Sequence, residues 1–262
     1  MISLAGNFSG YFVNNIQCTN DGDICQLYLC KELIEKTHIE NSVYVDIGAY
    51  AGGWTSMISH LTNSQGIIYT YEPSYQHFKM LEENCKKMPN VRLHNYGIGT
   101  EEAEVKLILT GGGAHVQSDL DTLSTCGNIE TINIKPFNIQ QSIHIMKIDI
   151  DGYESKLLPE LYSFLPQIHS LICEFTVYFF SSNKEECALI ARPILEKLMS
   201  HYPYTYVLSR NGAPFCVRIQ KENIPEWVDE HFDRNLSTDI LFTQHEISTI
   251  PVVPYCRNAW YA

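Results

Sequence analysis

The residues best suited to binding a ligand begin with a run of twelve, Val43–Trp54 (VYVDIGAYAGGW), in which an acid and three glycines follow an apolar segment. Glycines let the backbone turn sharply and approach a ligand closely. The spacing D-x-G-x-x-x-G differs from the dinucleotide fingerprint G-x-G-x-x-G. The acid, Asp46, suits a ligand with an ammonium or hydroxyl group and repels a pyrophosphate. The pattern therefore favours S-adenosylmethionine, whose methionine end carries an ammonium, over NAD.

Three further acids and one lysine follow other apolar segments. Glu72 ends the run Ile67–Tyr71, a position where an acid accepts both hydroxyls of a ribose. In Met146–Glu154 (MKIDIDGYE), we expect Asp149 to be a general base for a weak hydroxyl nucleophile, with Lys147 orienting that carboxylate or the substrate. Glu174 interrupts the apolar run LICEF, where an unpaired carboxylate is costly. We expect Glu174 to bind a substrate hydroxyl or to act as the alternative base.

Other interpretations of these residues stay open. Asp149, Asp151 and Glu174 could form a metal site, although an EF-hand loop is excluded because Gly152 comes too early in the run. A divalent metal is not predicted. In a purely structural interpretation, Lys147 pairs with a neighbouring acid and Asp151 caps the following helix. His115, after the triple glycine, is either a loop histidine or a residue that swings over the site.

Strands and helices alternate along most of the chain, which predicts an α/β fold with a doubly wound, mostly parallel sheet of Rossmann-like type and an antiparallel last strand. Residues 97–142 break the alternation and predict an antiparallel annex above the sheet. The predicted helices are Asp23–His38, Trp54–Leu61, Ser74–Met88, Tyr153–Phe164 and Lys184–His201. The predicted strands are Val43–Ile47, Ile67–Tyr71, Val91–Tyr96, Ile143–Ile148, Ser170–Phe175, Tyr204–Ser209 with Phe215–Ile219 as its pairing partner, and Asp239–Thr243.

The length of 262 residues suits one large domain, which we place at 23–246, after a surface segment at 1–22 and before a tail at 247–262. A formal net charge of −12 argues against nucleic acid or an anionic membrane as the main partner. Nine scattered cysteines without a C-x-x-C pair indicate reduced residues and a reducing, cytoplasmic compartment. The sequence shows no signal peptide and no apolar window that approaches a membrane span.

The runs Val45–Thr55, Tyr71–Asn84 and Met146–Glu154, with a weaker match at Leu171–Phe175, resemble the FkbM-type S-adenosylmethionine-dependent methyltransferases. The likeness covers roughly residues 23–200. It implies a class I methyltransferase fold and O-methylation, often of sugar or natural-product hydroxyls, with a small-molecule or glycan acceptor. It also implies a cofactor site formed by Asp46, Gly48, Ala49, Tyr50, Gly52, Trp54, Thr55, Glu72, Pro73, Asn95 and Gly97.

Three residues depart from the family pattern. Tyr50 stands where the family usually has asparagine, Ala51 replaces a bulkier aliphatic residue, and Asp151 replaces glutamate while keeping its charge. Two other functions stay open: an NAD(P)-dependent oxidoreductase, which the acid before the first glycine disfavours, and a non-catalytic cofactor-binding module. The sequence does not name the acceptor or the oligomeric state.

Overall fold

A computed structural model describes residues 11–13, 16–18, 21–37, 41–110, 113–116, 128–209 and 214–257. Its helices are α1 (Asp21–Lys36), α2 (Gly53–Leu61), α3 (Tyr75–Cys85), α4 (Glu154–Glu160), α5 (Lys184–His201) and α6 (Ile224–Asp233). Its strands are β1 (Tyr11–Val13), β2 (Ile16–Cys18), β3 (Val43–Ile47), β4 (Ile67–Tyr71), β5 (Val91–His94), β6 (Gly97–Gly99), β7 (Ala103–Thr110), β8 (Gly113–Val116), β9 (Asn128–Pro136), β10 (Ile143–Ile148), β11 (Ile168–Phe175), β12 (Tyr204–Leu208), β13 (Cys216–Arg218), β14 (Thr238–Thr243) and β15 (Val252–Pro254).

The large sheet has the strand order β15-β13-β12-β14-β11-β10-β3-β4-β5. The five strands from β11 to β5 are parallel, and β14 runs antiparallel to both of its neighbours, β11 and β12. All residues of β3 and β10 are buried, as expected for strands covered on both faces. The predicted α/β fold and its antiparallel strand at 239–243 are confirmed, and β13 pairs with β12 as expected.

Helices cover both faces of the large sheet. On one face, α4, α5 and α6 contribute the buried Leu157, Leu195 and Trp227 to one hydrophobic cluster. On the other, α1 and α2 contribute Leu33 and Ile58 to a second cluster. Opposite layers of this kind force the carboxyl ends of the parallel strands to one edge, where loops rather than helices meet. No helix in the described part of the chain is both long and apolar enough to cross a membrane.

Strands β6, β7, β8 and β9 form a separate four-stranded sheet of order β6-β9-β7-β8, in the region where the sequence predicts the annex. The prediction of a wholly antiparallel annex was wrong, because β6 pairs parallel with β9. A side chain on Gly99 would meet Ile134 Cγ2 at 2.3 Å, so glycine permits this close pairing. Strands β7 and β8 pair antiparallel, with Thr110 opposite Gly113. Gly111 and Gly112 lie outside the described residues.

Helix α6 and strand β15 are among the elements that have no counterpart in the sequence prediction. Helix α6 begins with a proline in its first turn and buries Trp227, Val228 and His231 at helical spacing. Strand β15 adds to the sheet edge parallel to β13, within the segment that the sequence assigned to a tail. That segment is anchored by Glu32 of α1, whose carboxylate accepts hydrogen bonds from the amides of Ser248 and Thr249, both at 2.8 Å. Most of the predicted surface segment 1–22 lies outside the described residues.

Candidate functional site

A cavity of about 420 Å³ opens at the carboxyl ends of the central parallel strands. This is where strand order reverses, between β3 and β10, and ligands of doubly wound sheets bind at such points. Its polar floor consists of side chains from the ends of four strands: Asp46, Glu72, Lys147, Asp149 and Glu174. Its roof is apolar and comes from the annex, with Ile98, Leu107, Ile132 and Ile134. The annex therefore lines one side of the cavity.

The turn after β3 is held in place by its neighbours. Gly48 has φ +82°, and a Cβ there would lie 1.8 Å from the Asp149 carbonyl oxygen, so only glycine fits. The amides of Gly48 and Ala49 both donate to the Tyr71 carbonyl at 3.0 Å. The half-exposed Tyr50, at φ +51°, donates its amide to Glu72 Oε2 at 2.8 Å. The turn is thus hydrogen-bonded to the end of β4 on one side and packed against the end of β10 on the other.

Asp46 is fully buried at the base of the cavity. Its Oδ2 accepts a 2.6 Å hydrogen bond from Thr55 Oγ1, whereas its Oδ1 has no hydrogen-bond partner among the described residues. Burial raises the pKa of Asp46, and the nearby Lys147 ammonium opposes that rise. A buried acceptor without a partner costs stability, so this oxygen is well suited to receive a donor or cation from a ligand.

Glu72 is buried at the end of β4 and accepts two backbone hydrogen bonds, from Tyr50 N at 2.8 Å and Ser74 N at 2.9 Å. Burial raises the pKa of Glu72 to about 7, although these two hydrogen bonds favour the charged form. Asn95 supports the same corner, because its Nδ2 donates to the carbonyls of Glu72 and Pro73 at 2.9 and 3.1 Å. Each carboxylate oxygen of Glu72 can accept a further hydrogen bond, which suits ribose hydroxyls.

The raised pKa of Glu72 predicts how the stability of the ligand-free protein depends on pH. Its pKa is about 7 in the folded chain against 4.5 for an unperturbed glutamate, so between these values the folded state binds more protons than the unfolded state. The free energy of unfolding should therefore fall as pH rises from about 5 to 7, by on the order of 3 kcal/mol from this group. Urea unfolding of wild type and Glu72→Gln across pH 5–8 measures the difference. Equal pH slopes for the two proteins would contradict the assignment.

Lys147 and Asp149 form an ion pair at the exit of β10, with Lys147 Nζ 2.7 Å from Asp149 Oδ2. Lys147 is 8% exposed and pairs in register with Asp46 of β3. Burial alone would lower the pKa of Lys147, but the carboxylates of Asp149, Asp46 and Asp239 raise it above its usual range. The lysine is therefore charged and orients the Asp149 carboxylate, which is 36% exposed and lines the cavity.

The loop after β10 depends on Glu154, a residue to which the sequence assigned no separate role. Its two carboxylate oxygens accept hydrogen bonds from the amides of Ile150 and Gly152, at 2.8 and 2.7 Å. Burial raises the pKa of Glu154 to about 8. Asp151 does not cap the following helix, so that interpretation was wrong: the cap residue of α4 is Tyr153, and Asp151 has φ +50°. Instead, Asp151 lines the cavity.

Glu174 reaches the cavity from the end of β11 and is held by two hydroxyls. Ser237 Oγ donates to Glu174 Oε1 at 2.6 Å, and Thr176 Oγ1 donates to Ser237 Oγ at 2.9 Å. This chain of donors orients one oxygen of the carboxylate. Ser237 lies just before β14 and 63 residues from Glu174, so no sequence pattern could indicate the contact.

Most predicted site residues line the cavity, namely Asp46, Gly48, Ala49, Tyr50, Trp54, Glu72, Pro73, Gly97, Lys147, Asp149 and Glu174. Gly52, Thr55 and Asn95 lie behind that wall and support it. Gly52 caps α2 in a left-handed conformation, and a Cβ there would lie 2.6 Å from Leu81 Cδ1. The sequence reasoning missed His77 and Tyr153, which also line the cavity. The backbone of His115 lies in β8, but its side chain is outside the described residues.

No group of three or more His, Cys, Asp or Glu residues among the described residues is arranged to hold a metal ion. The alternative metal site at Asp149, Asp151 and Glu174 therefore has no geometric support. Instead, Asp149 is engaged by the Lys147 ammonium and Glu174 by the Ser237 hydroxyl.

Comparison with known families decides against the oxidoreductase that the sequence left open. The sequence model described as "Methyltransferase FkbM domain" matches residues 46–202, which is more than half of the chain and includes all five residues of the cavity floor. The chain belongs to the FkbM methyltransferase family. Membership in this family identifies a methyltransferase domain and implies S-adenosylmethionine as the methyl donor. It therefore argues against the alternative of an NAD(P)-dependent oxidoreductase.

Solved structures similar to this FkbM chain are distant. A methyltransferase FkbM from Methylobacillus flagellatus KT has 15% identity and a TM-score of 0.48, and the match covers 81% of this chain but 47% of that one. A putative O-methyltransferase from Klebsiella pneumoniae has 11% identity and a TM-score of 0.45, and the match covers 84% of this chain and 80% of that one. An S-adenosylmethionine-dependent O-methyltransferase from Thermotoga maritima has 11% identity and a TM-score of 0.41, and the match covers 85% of this chain and 66% of that one. No significant match was found among curated protein sequences. The family match therefore carries the assignment.

Proposed function

We propose that this FkbM domain transfers a methyl group from S-adenosylmethionine to a hydroxyl of a small molecule, such as a sugar, glycan or natural-product-like compound. The observation that carries the proposal is a single cavity that holds both Asp46, with its unpartnered buried Oδ1, and the oriented Asp149–Lys147 pair. The first suits the cofactor's ammonium. The second provides a carboxylate for the acceptor hydroxyl.

The residues present fit the cofactor. Asp46 would hold the ammonium, since its Oδ1 needs a donor, and Glu72 would accept the ribose hydroxyls at the end of β4. The apolar annex residues, including Ile98 and Ile134, would cover an adenine ring. When bound, S-adenosylmethionine supplies an electrophilic methyl group on a cationic sulfur. The chain's part is to align the acceptor oxygen with that methyl and to take up the hydroxyl proton.

Asp149 is the residue proposed to accept that proton. It lines the cavity at the exit of β10, and the Lys147 ammonium at 2.7 Å fixes which oxygen faces the ion pair. The Asp149 carboxylate, oriented in this way, would meet the acceptor hydroxyl. Glu174, held by Ser237, would bind a second acceptor hydroxyl, and it is the alternative base.

The acceptor is proposed to be a small molecule rather than nucleic acid or membrane. The net charge of −12 disfavours polyanions, and the cavity floor is itself rich in carboxylates. A second candidate function is a cofactor-binding module without catalysis. It would bind S-adenosylmethionine but form no methylated product.

Both S-adenosylmethionine and S-adenosylhomocysteine should stabilise the protein, because each would bind the folded state only. At about 100 times the dissociation constant, the melting temperature should rise by roughly 5–10 °C. NAD and NADP should give no shift, since the turn amides of Gly48, Ala49 and Tyr50 already donate within the protein and Asp46 repels a pyrophosphate. Differential scanning fluorimetry with all four compounds makes the comparison. If neither methionine derivative shifts the melting temperature or gives heat in calorimetry, the cofactor assignment fails.

A further inference from the structure

The acceptor end of the cavity is defined here as Asp149, Asp151, Tyr153, Glu174 and Phe179. The first four line the cavity. Phe179 lies in the turn after β11 and packs on Gly152, where an added Cβ would be 2.7 Å from Phe179 Cβ. Phe179 is nevertheless 49% exposed, so part of its ring is an apolar surface beside Gly152, the residue between Asp151 and Tyr153 in the chain. Carboxylates and aromatic side chains therefore meet in the region between the exits of β10 and β11.

Negative charge dominates the wall of this cavity. Five carboxylate residues line it, whereas Lys147 is the one lysine or arginine among the described lining residues, and it is paired with Asp149. His77 is the one histidine among the described lining residues, and burial lowers its pKa. The five carboxylates are Asp46, Glu72, Asp149, Asp151 and Glu174.

Backbone amides do not offset this charge, although glycine-rich turns often bind anions through them. The amides of Gly48 and Ala49 donate to the Tyr71 carbonyl, and the amide of Tyr50 donates to Glu72. On the other side of the cavity, the amides of Ile150 and Gly152 both donate to Glu154. These five N–H groups are committed to acceptors inside the protein. An anionic ligand would therefore meet carboxylates that these five amides do not compensate.

We propose that the acceptor end selects an uncharged, polyhydroxylated ring, such as a neutral sugar, and rejects acceptors that carry a carboxylate or phosphate. Hydroxyls donate to Asp151 and Glu174, because ionised carboxylates only accept hydrogen bonds. The apolar face of the ring packs on Phe179 and Tyr153. This inference rests on the proposed methyl transfer to a hydroxyl and narrows its acceptor class by repulsion of like charge.

The test uses the full chain saturated with S-adenosylhomocysteine and two probes that differ only at C6, methyl β-D-glucopyranoside and methyl β-D-glucuronide. Titration followed by ligand-observed NMR should give at least about tenfold tighter binding of the neutral glycoside, since close like charges cost several kcal/mol. Asp151→Asn should narrow that preference by about threefold. Asparagine accommodates the φ of +50° at this position, so the variant removes charge without backbone strain.

Phe179→Ala should lower the affinity for the neutral glycoside by about fivefold through loss of the aromatic contact. Its affinity for S-adenosylhomocysteine should stay within about twofold of the wild-type value. Matched controls lie on α5, where Glu196→Gln removes an exposed charge and Leu189→Ala an exposed apolar side chain. Both should leave every affinity unchanged. Equal or tighter binding of the glucuronide, binding of neither glycoside, or a Phe179→Ala variant with wild-type affinity would overturn the inference. Failure to bind S-adenosylhomocysteine would instead show that the proposed function itself is wrong.

Discussion

Asp149→Asn should lower methyl transfer by about a hundredfold or more while leaving the dissociation constant for S-adenosylmethionine nearly unchanged, because a general base contributes only to the chemical step. Asp149 lies at the exit of β10 and lines the cavity. Asparagine keeps the size of the side chain and can still contact the Lys147 ammonium, so the change removes proton-accepting capacity more than it removes structure. Calorimetry measures binding, and product formation with an acceptor found by screening neutral glycosides measures turnover.

The melting temperature of Asp149→Asn distinguishes catalysis from a structural role. Lys147 also lies near Asp46 and Asp239, so we expect loss of one partner to lower stability only modestly. If Asp149 served only to hold Lys147, the variant would melt earlier and keep most of its turnover. Asp229→Asn on α6 is a matched control, since it also removes a carboxylate from an ion pair, with Arg192. Full activity of Asp149→Asn would eliminate this residue and leave Glu174 as the base.

The same assay with EDTA tests the metal alternative. A metal held by Asp149, Asp151 and Glu174 would make wild-type turnover sensitive to EDTA and restorable by magnesium. With Lys147 at 2.7 Å from Asp149 and Ser237 at 2.6 Å from Glu174, we expect wild-type turnover to be unaffected.

Glu72→Ala should weaken S-adenosylmethionine binding by about 1–3 kcal/mol, the range for hydrogen bonds to a charged group. This corresponds to a dissociation constant about 5- to 150-fold higher. The variant also removes the acceptor for the Tyr50 and Ser74 amides, so part of the loss would come from loosening of the turn after β3. Isothermal titration calorimetry at pH 8, where wild-type Glu72 is mostly ionised, gives the full difference.

Two further variants separate these contributions. Glu72→Gln retains an oxygen that accepts a hydrogen bond but has no charge. Its dissociation constant for S-adenosylmethionine should therefore lie between those of wild type and Glu72→Ala. Glu196→Ala, on the exposed face of α5, should bind as wild type does. An unchanged dissociation constant for Glu72→Ala would show that this residue is not the ribose acid, and the cofactor orientation in the cavity would have to be revised.

Much of the central architecture could be predicted from sequence because it depends on local patterns. Strands β4 and β10 and helix α5 have the bounds that their residue patterns predicted, since apolar β-branched runs and helical spacing are properties of neighbouring residues. Gly48 and Glu72 could also be identified from the sequence, because a tight turn and the end of a strand each have a local residue pattern. Helix α6 was missed, although Trp227, Val228 and His231 do follow helical spacing.

Other features of the site depend on contacts between segments far apart in sequence. The register of β3 against β10 places Lys147 beside Asp46, 101 positions earlier in the numbering, and only the assembled sheet sets that register. Likewise, Glu154 folds back on the Ile150 and Gly152 amides instead of facing the cavity, which no alternation of acids and apolar residues indicates. The annex closes over the floor because glycine at position 99 lets β6 approach β9.

The sequence by itself determined that this chain has a glycine turn at the end of a buried strand, with acids at the exits of three neighbouring strands. Strand ends and turns follow from residue type, so these candidates were identifiable. Tertiary structure alone decided which carboxylate faces a lysine and which carboxylate does not face the cavity. It also decided which backbone amides already donate to acceptors inside the protein. Those properties depend on distances of a few ångströms across the sheet, where burial and pairing set the charge of each group.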